Sequence, residues 1–221
     1  MKIFRSTLTP VALTLLILMA LIVGGPANRL DSALIHTLAA FRTLSPMLTQ
    51  AAIILTQAGS AYATIGLGLI AALWLALRGD ARRAMLLFGA VAGARLLTDG
   101  MKWLIDRPRP SFDAHPVATS SSAFPSGHAA NSMAVFVLVA LIAAPARYRS
   151  AAVISAVLLS LAVGATRPLL GVHWPSDMIG GWALGLLAAW IALRIGERSG
   201  VLPVEPQHDI VGGHVAVIDQ N

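Results

Sequence analysis

Residues 164–182, GATRPLLGVHWPSDMIGGW, separate two segments that are almost purely apolar. This stretch brings Arg167, His173 and Asp177 close together, with Pro and Gly on both sides. Ionisable side chains are expensive inside a bilayer, and where they occur they usually act together. The stretch therefore predicts a functional connection between two membrane helices.

The rest of the chain is apolar enough to have the bilayer as its solvent. Of its 221 residues, 57% are hydrophobic and 12% are charged, and the mean hydropathy is +0.75. A helix satisfies its own backbone polar groups in lipid and needs roughly 17–25 apolar residues to cross it. We therefore predict an all-α membrane protein, a bundle of about six transmembrane helices: Leu8–Gly25, Ile53–Leu77, Ala84–Ile105, Gly127–Ala144, Ala151–Ala165 and Met178–Ile195.

The segment between the first two spans has a different pattern. Its apolar residues recur at helical spacing and end before Pro46, which predicts an amphipathic helix on the membrane surface; they are Leu30, Leu34, Ile35, Leu38 and Phe41. Residues 1–198 are predicted to form one integral-membrane domain, and residues 199–221 a polar C-terminal tail. His208 and His214 in this tail are not interpreted as a metal site.

The net charge of +6 comes from basic residues scattered at the ends of apolar segments. No basic patch with interleaved aromatic residues is present, so we expect no nucleic-acid partner. Basic residues concentrate on the cytoplasmic side of membrane proteins. This predicts a cell inner membrane protein with both termini in the cytoplasm, and with residues 106–126 and 166–177 outside. The first apolar run also resembles a signal peptide, but no clear small-residue cleavage site follows it, so we favour a retained helix.

Three polar clusters fall on this predicted outer side: KWLIDRPRP at 102–110, PSGH at 125–128 and TRPLLGVHWPSD at 166–177. Each alone is explained by snorkelling or by a helix end, but together they bring four cations to one membrane edge. Arginine forks match phosphate oxygens, and the start of a helix at Ser126 and Gly127 offers backbone N–H groups to an anion. The clusters therefore predict a phosphate site; the cations are Lys102, Arg107, Arg109 and Arg167.

Two histidines and a carboxylate complete these clusters. His173 and Asp177 are four residues apart, and they meet either through a helical turn or through a bend at Pro175. A carboxylate that accepts a proton from one ring nitrogen raises the basicity of the other. This pattern favours His173 as a nucleophile and His128 as an acid.

These residues resemble the three-part signature of the type 2 phosphatidic acid phosphatase superfamily, which also contains vanadium haloperoxidases and bacterial class A acid phosphatases. Lys102 and Arg109-Pro110 have the spacing of its first part, Pro125 to His128 match the second, and Arg167, His173 and Asp177 match the third. Thr166 stands where the third part usually has serine, and Arg107 falls outside the signature. We assign Arg107 a secondary role.

The resemblance implies a membrane-embedded, metal-independent phosphatase that needs no cofactor. His173 would attack phosphorus to give a phosphohistidine, His128 would protonate the leaving oxygen, and Asp177 would orient His173. The remaining residues would bind the phosphate: Lys102, Arg109, Arg167 and the backbone of Ser126 and Gly127. Candidate substrates in the bilayer are undecaprenyl pyrophosphate, phosphatidylglycerol phosphate, phosphatidic acid and a lipid A phosphate; the oligomeric state is left open.

Two other functions remain as alternatives: a transporter that binds a phosphate head group without hydrolysis, and a vanadate-dependent haloperoxidase. A metal hydrolase using His115, His128, His173 and Asp177 is disfavoured, because the nearby cations would repel a divalent ion.

Three further expectations concern polar residues outside the signature. Arg95 and Asp99 are expected to form a buried structural ion pair facing the bundle interior, and Asp106 to pair with Lys102. His115 is expected in an exposed loop.

Overall fold

The computed structural model of the chain describes residues 8–112, 115–119 and 121–203. These residues form eight α-helices and two short 3₁₀ turns, and no strand occurs among them. The predicted all-α class is therefore confirmed. The helices are α1 (Leu8–Val23), α2 (Arg29–Leu44), α3 (Pro46–Thr56), α4 (Ala61–Leu77), α5 (Ala81–Ile105), α6 (Gly127–Ile142), α7 (Arg149–Leu169) and α8 (Pro175–Arg198).

Each of the six predicted spans corresponds to an apolar helix. Three helical segments are long and apolar enough to cross a bilayer, namely α5, α7 with its preceding turn, and α8. The helices α1, α4 and α6 are equally apolar but shorter, at 16 or 17 residues. The pair formed by α2 and α3 with its following turn would make a fourth span, but it is bent by 112°. Six is therefore an approximate count of spans.

The second predicted span, Ile53–Leu77, is wrong as one continuous helix. Helix α3 ends at Thr56, and a 3₁₀ turn at Gln57–Gly59 separates it from α4. The side chain of Ser60 then accepts a hydrogen bond from the Ala63 N–H at 3.2 Å and caps the new helix. The polar residues at this break, Thr56, Gln57 and Ser60, interrupt a long apolar segment only briefly, so its mean hydropathy did not reveal the turn.

The fifth predicted span ends too early. Helix α7 continues from Arg149 through Pro168 to Leu169, so Arg167 lies on the helix and not in the following loop. A proline in the last turn removes a single backbone hydrogen bond there, which the long helix tolerates. The loop between α7 and α8 is thereby shortened to residues 170–174.

Helix α2 turns most of its apolar residues away from the protein. Of the predicted stripe, Ile35 is buried at 3% exposure, while Leu30, Leu34 and Phe41 are exposed at 74%, 49% and 55%. The helix contacts α7 and α8. Its exposed apolar side suits an amphipathic helix whose other side packs on the bundle.

Helix α6 is the centre of the bundle, because thirteen of its sixteen residues are buried. It packs against α4, α5, α7 and α8. Its closest approach is to α8, where a Cβ atom on Gly181 would lie 2.8 Å from the Ser126 carbonyl, and a Cβ atom on Gly185 would overlap the Ala130 carbonyl. Small residues in this arrangement let membrane helices touch backbone to backbone. The contact brings the first turns of α6 and α8 side by side.

We predict that Gly185→Ala destabilises the protein, because its new methyl group would force α6 and α8 apart. The expected change in thermal stability in detergent corresponds to about 1–3 kcal/mol. The matched control is Gly89→Ala in α5, where a Cβ atom meets nothing within 4 Å. Both variants gain the same helix propensity, so equal melting temperatures would contradict close packing at Gly185.

Candidate active site

The three polar clusters meet at one end of the bundle. They lie on the last turns of α5 and α7, on the first turns of α6 and α8, and in the two connecting segments. Together they enclose a cavity of about 190 Å³. Among the residues that line it are six of the predicted site residues: Lys102, Arg109, Gly127, His128, Arg167 and His173.

Asp177 does not line the cavity but contacts the His173 ring that does. The His173 Nδ1 atom is 3.3 Å from the Asp177 Oδ2 atom, and the Trp174 N–H donates to the same oxygen at 2.9 Å. His173 and Asp177 are 2% and 0% exposed. Because α8 begins at Pro175, the two residues meet across the start of a helix and not along a helical turn.

The hydrogen bonds of His173 determine which ring nitrogen carries the proton. The Arg109 Nη1 atom lies 3.1 Å from the His173 Nε2 atom. A guanidinium can only donate, so Nε2 accepts and the proton sits on Nδ1, facing Asp177. Burial, followed by the positive charges of Arg109 and Lys102, holds the pKa of His173 well below its usual value of 6.5. The Nε2 lone pair is therefore unprotonated at neutral pH and faces the cavity.

Arg167 and Lys102 enter the cavity from α7 and α5. The Arg167 Nη1 atom donates to the Thr56 Oγ1 atom at 2.9 Å, whereas the buried Arg167 Nε atom has no partner among the residues that the structure describes. The Lys102 ammonium donates to the Ser122 carbonyl at 2.7 Å and keeps two further protons. An unsatisfied buried donor beside a second cation is the arrangement that an anion would complete.

The start of α6 supplies backbone donors, but not all of those predicted. The Ser126 N–H donates to the Asp177 carbonyl at 2.9 Å, so the prediction that it faces a phosphate is wrong. The backbone N–H groups that lack a partner within the helix begin at Gly127, the first residue of α6. No helical carbonyl lies one turn before them to accept their hydrogen bonds. The Ser126 hydroxyl is buried without a hydrogen-bond partner in the part of the chain that the structure describes.

His128 reaches the cavity from the same turn, and its ring packs on the backbone of Gly59. A Cβ atom on Gly59 would lie 3.2 Å from the His128 Cδ2 atom. The turn between α3 and α4 therefore forms the wall behind this histidine. His128, on the first turn of α6, and His173, in the loop between α7 and α8, line the same cavity.

Arg107 has a larger role than its secondary assignment from the sequence. It is 7% exposed, and its Nη1 atom donates to the Asp177 Oδ1 atom at 2.8 Å and to the Ser176 hydroxyl at 3.0 Å. Its Nη2 atom donates to the carbonyls of Ala20 and Leu21 at 3.2 and 2.6 Å. Arg107 thus joins the end of α1 to the carboxylate that holds His173.

A second buried carboxylate, Asp31 of α2, extends this network and was missed at the sequence level. Its two oxygens accept the Ser176 N–H at 3.0 Å, the Ser176 hydroxyl at 2.5 Å and the Gly25 N–H at 2.6 Å. Asp31 sits in the predicted surface helix, where an isolated acid in an amphipathic pattern suggests solvent contact. Asp31 is 5% exposed, and this burial, which marks it as part of the network, is visible only in the structure.

Two expectations about neighbouring polar residues change. Arg95 and Asp99 do form an ion pair, with 2.8 Å between the Arg95 Nε and Asp99 Oδ2 atoms, but the side chains are 38% and 48% exposed and line the cavity. The predicted burial of this pair was wrong, because both residues lie on the side of α5 that faces the opening. No ion pair joins Asp106 to Lys102 among the described residues, because Asp106 ends α5 in a left-handed conformation with φ 43°.

Two other residues take up backbone contacts. The His115 Nε2 atom lies 2.8 Å from the Pro110 carbonyl, so His115 is a half-buried loop residue and not an exposed one. The Thr166 hydroxyl donates to the Val163 carbonyl at 2.6 Å, within its own helix. The residue that replaces the usual serine therefore makes no hydrogen bond to the other predicted site residues that the structure describes.

The chain was compared with protein families and with known proteins. The model of the PAP2 superfamily matches residues 83–200. Phosphatidylglycerophosphatase B of Bacillus subtilis (strain 168) is 34% identical over 124 residues, which cover 54% of this chain and 59% of that protein. Lipid A 1-phosphatase of Rhizobium johnstonii is 34% identical over 125 residues, which cover 52% of this chain and 49% of that protein. The chain thus spans about half to three-fifths of the length of the curated relatives it matches.

A solved structure extends the similarity beyond these segments. It is the crystal structure of the first transmembrane PAP2 type phosphatidylglycerolphosphate phosphatase from Bacillus subtilis, with a TM-score of 0.79 and 28% identity. The similarity covers 87% of this chain and 98% of that chain. The helical arrangement around the cavity is therefore shared with a solved membrane protein.

We predict that Arg107→Leu strongly destabilises the protein, because it leaves a buried carboxylate and two helix-end carbonyls without their donor. Breaking a buried ion pair from one side costs about 3–5 kcal/mol, which thermal unfolding in detergent would detect. Arg95→Leu is the control, because it removes a half-exposed pair worth about 0–1 kcal/mol. If the two variants unfold at the same temperature, the Arg107 network is not a structural centre.

Proposed function

The chain belongs to the PAP2 superfamily, and from this premise we propose that it is a membrane-embedded phosphatase that hydrolyses a lipid phosphate through a phosphohistidine intermediate. The observation that carries the proposal is the environment of one ring nitrogen. His173 Nε2 is unprotonated and faces the cavity that Lys102, Arg109 and Arg167 line. It belongs to a ring whose other nitrogen faces a buried carboxylate.

In the first proposed step the phosphate of the lipid enters between Lys102, Arg109 and Arg167. The Arg109 guanidinium then donates to the phosphate oxygens and no longer to His173 Nε2, so the Nε2 lone pair becomes available for attack. Nε2 forms a bond to phosphorus while the bond between phosphorus and the leaving oxygen breaks. The negative charge of the bound phosphate offsets the neighbouring cations, so that His128 is protonated and gives its proton to the leaving oxygen. Asp177 stabilises the charge that develops on the His173 ring.

In the second step water removes the phosphoryl group. Neutral His128 accepts a proton from the water molecule as its oxygen attacks phosphorus, and the bond from phosphorus to His173 Nε2 breaks. Inorganic phosphate leaves, and both histidines return to their starting states. The three cations and the Gly127 amide stabilise the equatorial oxygens in both steps, so the chain supplies the positive charge from its own residues.

The substrate is proposed to be a phosphate on a bilayer lipid. Two relatives are named for phosphatidylglycerophosphate and for the 1-phosphate of lipid A. A cavity at the end of a helical bundle suits a lipid whose head group reaches the interface while its tails stay in the hydrocarbon. Among the four candidate lipids, we favour the glycerophospholipid and lipid A phosphates.

The site is proposed to face the periplasm or exterior, in the inner membrane of a bacterial cell. Support comes from the basic residues at the opposite ends of the helices, which mark a cytoplasmic side. They include Arg82 at the start of α5, which donates to the Ser199 carbonyl after α8 at 3.2 Å.

We predict that His173→Ala lowers phosphate release from these lipids by at least about 10³-fold, because the nucleophile is lost. Release would be measured with purified protein and a panel of the candidate lipids in excess EDTA. The variant should retain part of its binding of orthovanadate, a mimic of five-coordinate phosphorus, because the cations remain although the nitrogen ligand is lost. His36→Ala, on the exposed part of α2, should keep wild-type turnover.

Several outcomes would contradict the proposal. Full activity of His173→Ala would exclude His173 as the nucleophile. Loss of wild-type activity in EDTA, restored by a divalent metal, would contradict the metal-free reaction. Movement of a lipid across vesicles by both proteins, without phosphate release, would support the transporter instead.

The proposed orientation gives a prediction for labelling in intact cells, since the chain contains no cysteine. Pro116→Cys lies in the exposed loop at the site, and Ala146→Cys lies at the opposite end of the bundle. A membrane-impermeant maleimide should label the first in spheroplasts and the second only after the membrane is opened. The reverse pattern would place the site in the cytoplasm.

A further inference from the structure

Asn131 is a buried amide in the cavity that neither the signature nor the proposed mechanism uses. It lies on α6, one turn after Gly127, and is 4% exposed. It lines the cavity together with Lys102 and His128. A Cβ atom on Gly127 would lie 3.8 Å from the Asn131 Nδ2 atom and 3.6 Å from the Lys102 Cε atom. The amide and the lysine therefore meet beside the same free backbone turn.

The Asn131 side chain has no hydrogen-bond partner among the residues that the structure describes. The nearby Thr98 hydroxyl donates to the Ala94 carbonyl at 2.8 Å, and the Ser132 and Ser160 hydroxyls are 2.8 Å apart. Native proteins pair nearly all of the polar groups inside the fold with protein atoms, with a ligand or with water. The partner of Asn131 must therefore come from the cavity.

The charge of the cavity indicates what that partner is. Lys102, Arg109 and Arg167 select an anion, and Asn131 presents its Nδ2 donor on the side of Gly127 and Lys102. We propose that Asn131 is a further phosphate-binding residue, whose Nδ2 atom donates a hydrogen bond to a phosphoryl oxygen next to Lys102 and the Gly127 amide. This inference rests on the proposed phosphatase function and adds a neutral donor to its three cations.

A neutral donor in this position has a specific consequence. It stabilises a phosphoryl oxygen without adding a fourth positive charge to a crowded, buried cluster. The bond should strengthen as negative charge grows on the equatorial oxygens, so it should act on the transition state and on its vanadate mimic alike.

Two variants of Asn131 test the proposal. Asn131→Ala should lower kcat/KM for lipid phosphate by about 10–100-fold and weaken inhibition by orthovanadate by a similar factor. Asn131→Asp has the same shape but replaces the donor with a carboxylate, so it should lose more activity at neutral pH. Its activity should then recover in part as the pH falls and the new carboxyl group becomes protonated, relative to the wild-type pH profile.

Ser132→Ala is the matched control, because Ser132 is the next residue of α6, is equally buried and makes its hydrogen bond with Ser160, away from the cavity. It should leave kcat/KM and vanadate inhibition unchanged. Thermal unfolding in detergent identifies a variant that fails to fold. A folded Asn131→Asp protein with wild-type vanadate inhibition would overturn the inference, even if Asn131→Ala does not fold.

The outcomes separate this inference from the function on which it rests. If wild type releases phosphate and both folded Asn131 variants match it, Asn131 is not a phosphate ligand and the phosphatase stands. If wild type releases no phosphate from any lipid, the proposed function fails. Calorimetric titration with orthovanadate then still decides the inference, because unchanged affinity in the Asn131 variants would overturn it.

Discussion

The buried ion pair between Arg107 and Asp177 is the interaction on which the site depends. A carboxylate at 0% exposure needs a cationic partner, and Arg107 supplies one at 2.8 Å while it also binds the carbonyls that end α1. The other oxygen of Asp177 is thereby free to face His173 and the Trp174 amide. One arginine outside the signature thus fixes the position of the proposed nucleophile, and Asp31 supports the same point from α2 through Ser176.

The cavity beside this pair concentrates positive charge. Lys102, Arg109 and Arg167 converge there, beside the Asn131 amide, although they repel one another. The Arg167 Nε atom is buried without a partner among the described residues. Such features reduce stability in the absence of a ligand. They are expected of a site whose groups are held in place by surrounding helices so that they need not reorganise when charge develops on a substrate. The close contact of α6 with α8 provides that rigidity.

Much of the fold was predictable because the bilayer imposes a simple rule on composition. Six apolar segments predicted six helices, and each contains an apolar helix although the second is broken by a turn, since a long apolar stretch in lipid has few alternatives to a helix. The ends of the helices were predicted less well. Hydropathy did not reveal the turn at Gln57–Gly59 or the continuation of α7 through Pro168, because both depend on capping and on neighbouring helices. The exposure of Arg95 and Asp99 was missed for a similar reason, since their side of α5 is defined only by packing.

The sequence by itself determined the class of protein, the family and the residues proposed to carry the chemistry, because these follow from composition and from the spacing of a few side chains. The tertiary structure alone decided which atoms of those residues are available. In the structure the Ser126 N–H donates to the Asp177 carbonyl, Arg107 pairs with the buried Asp177 carboxylate, and Asn131 lines the cavity. Such assignments depend on contacts between segments far apart in the chain, such as Asp31 with Ser176. No local pattern encodes them, because a hydrogen bond forms only where the packing of helices leaves a donor and an acceptor facing each other.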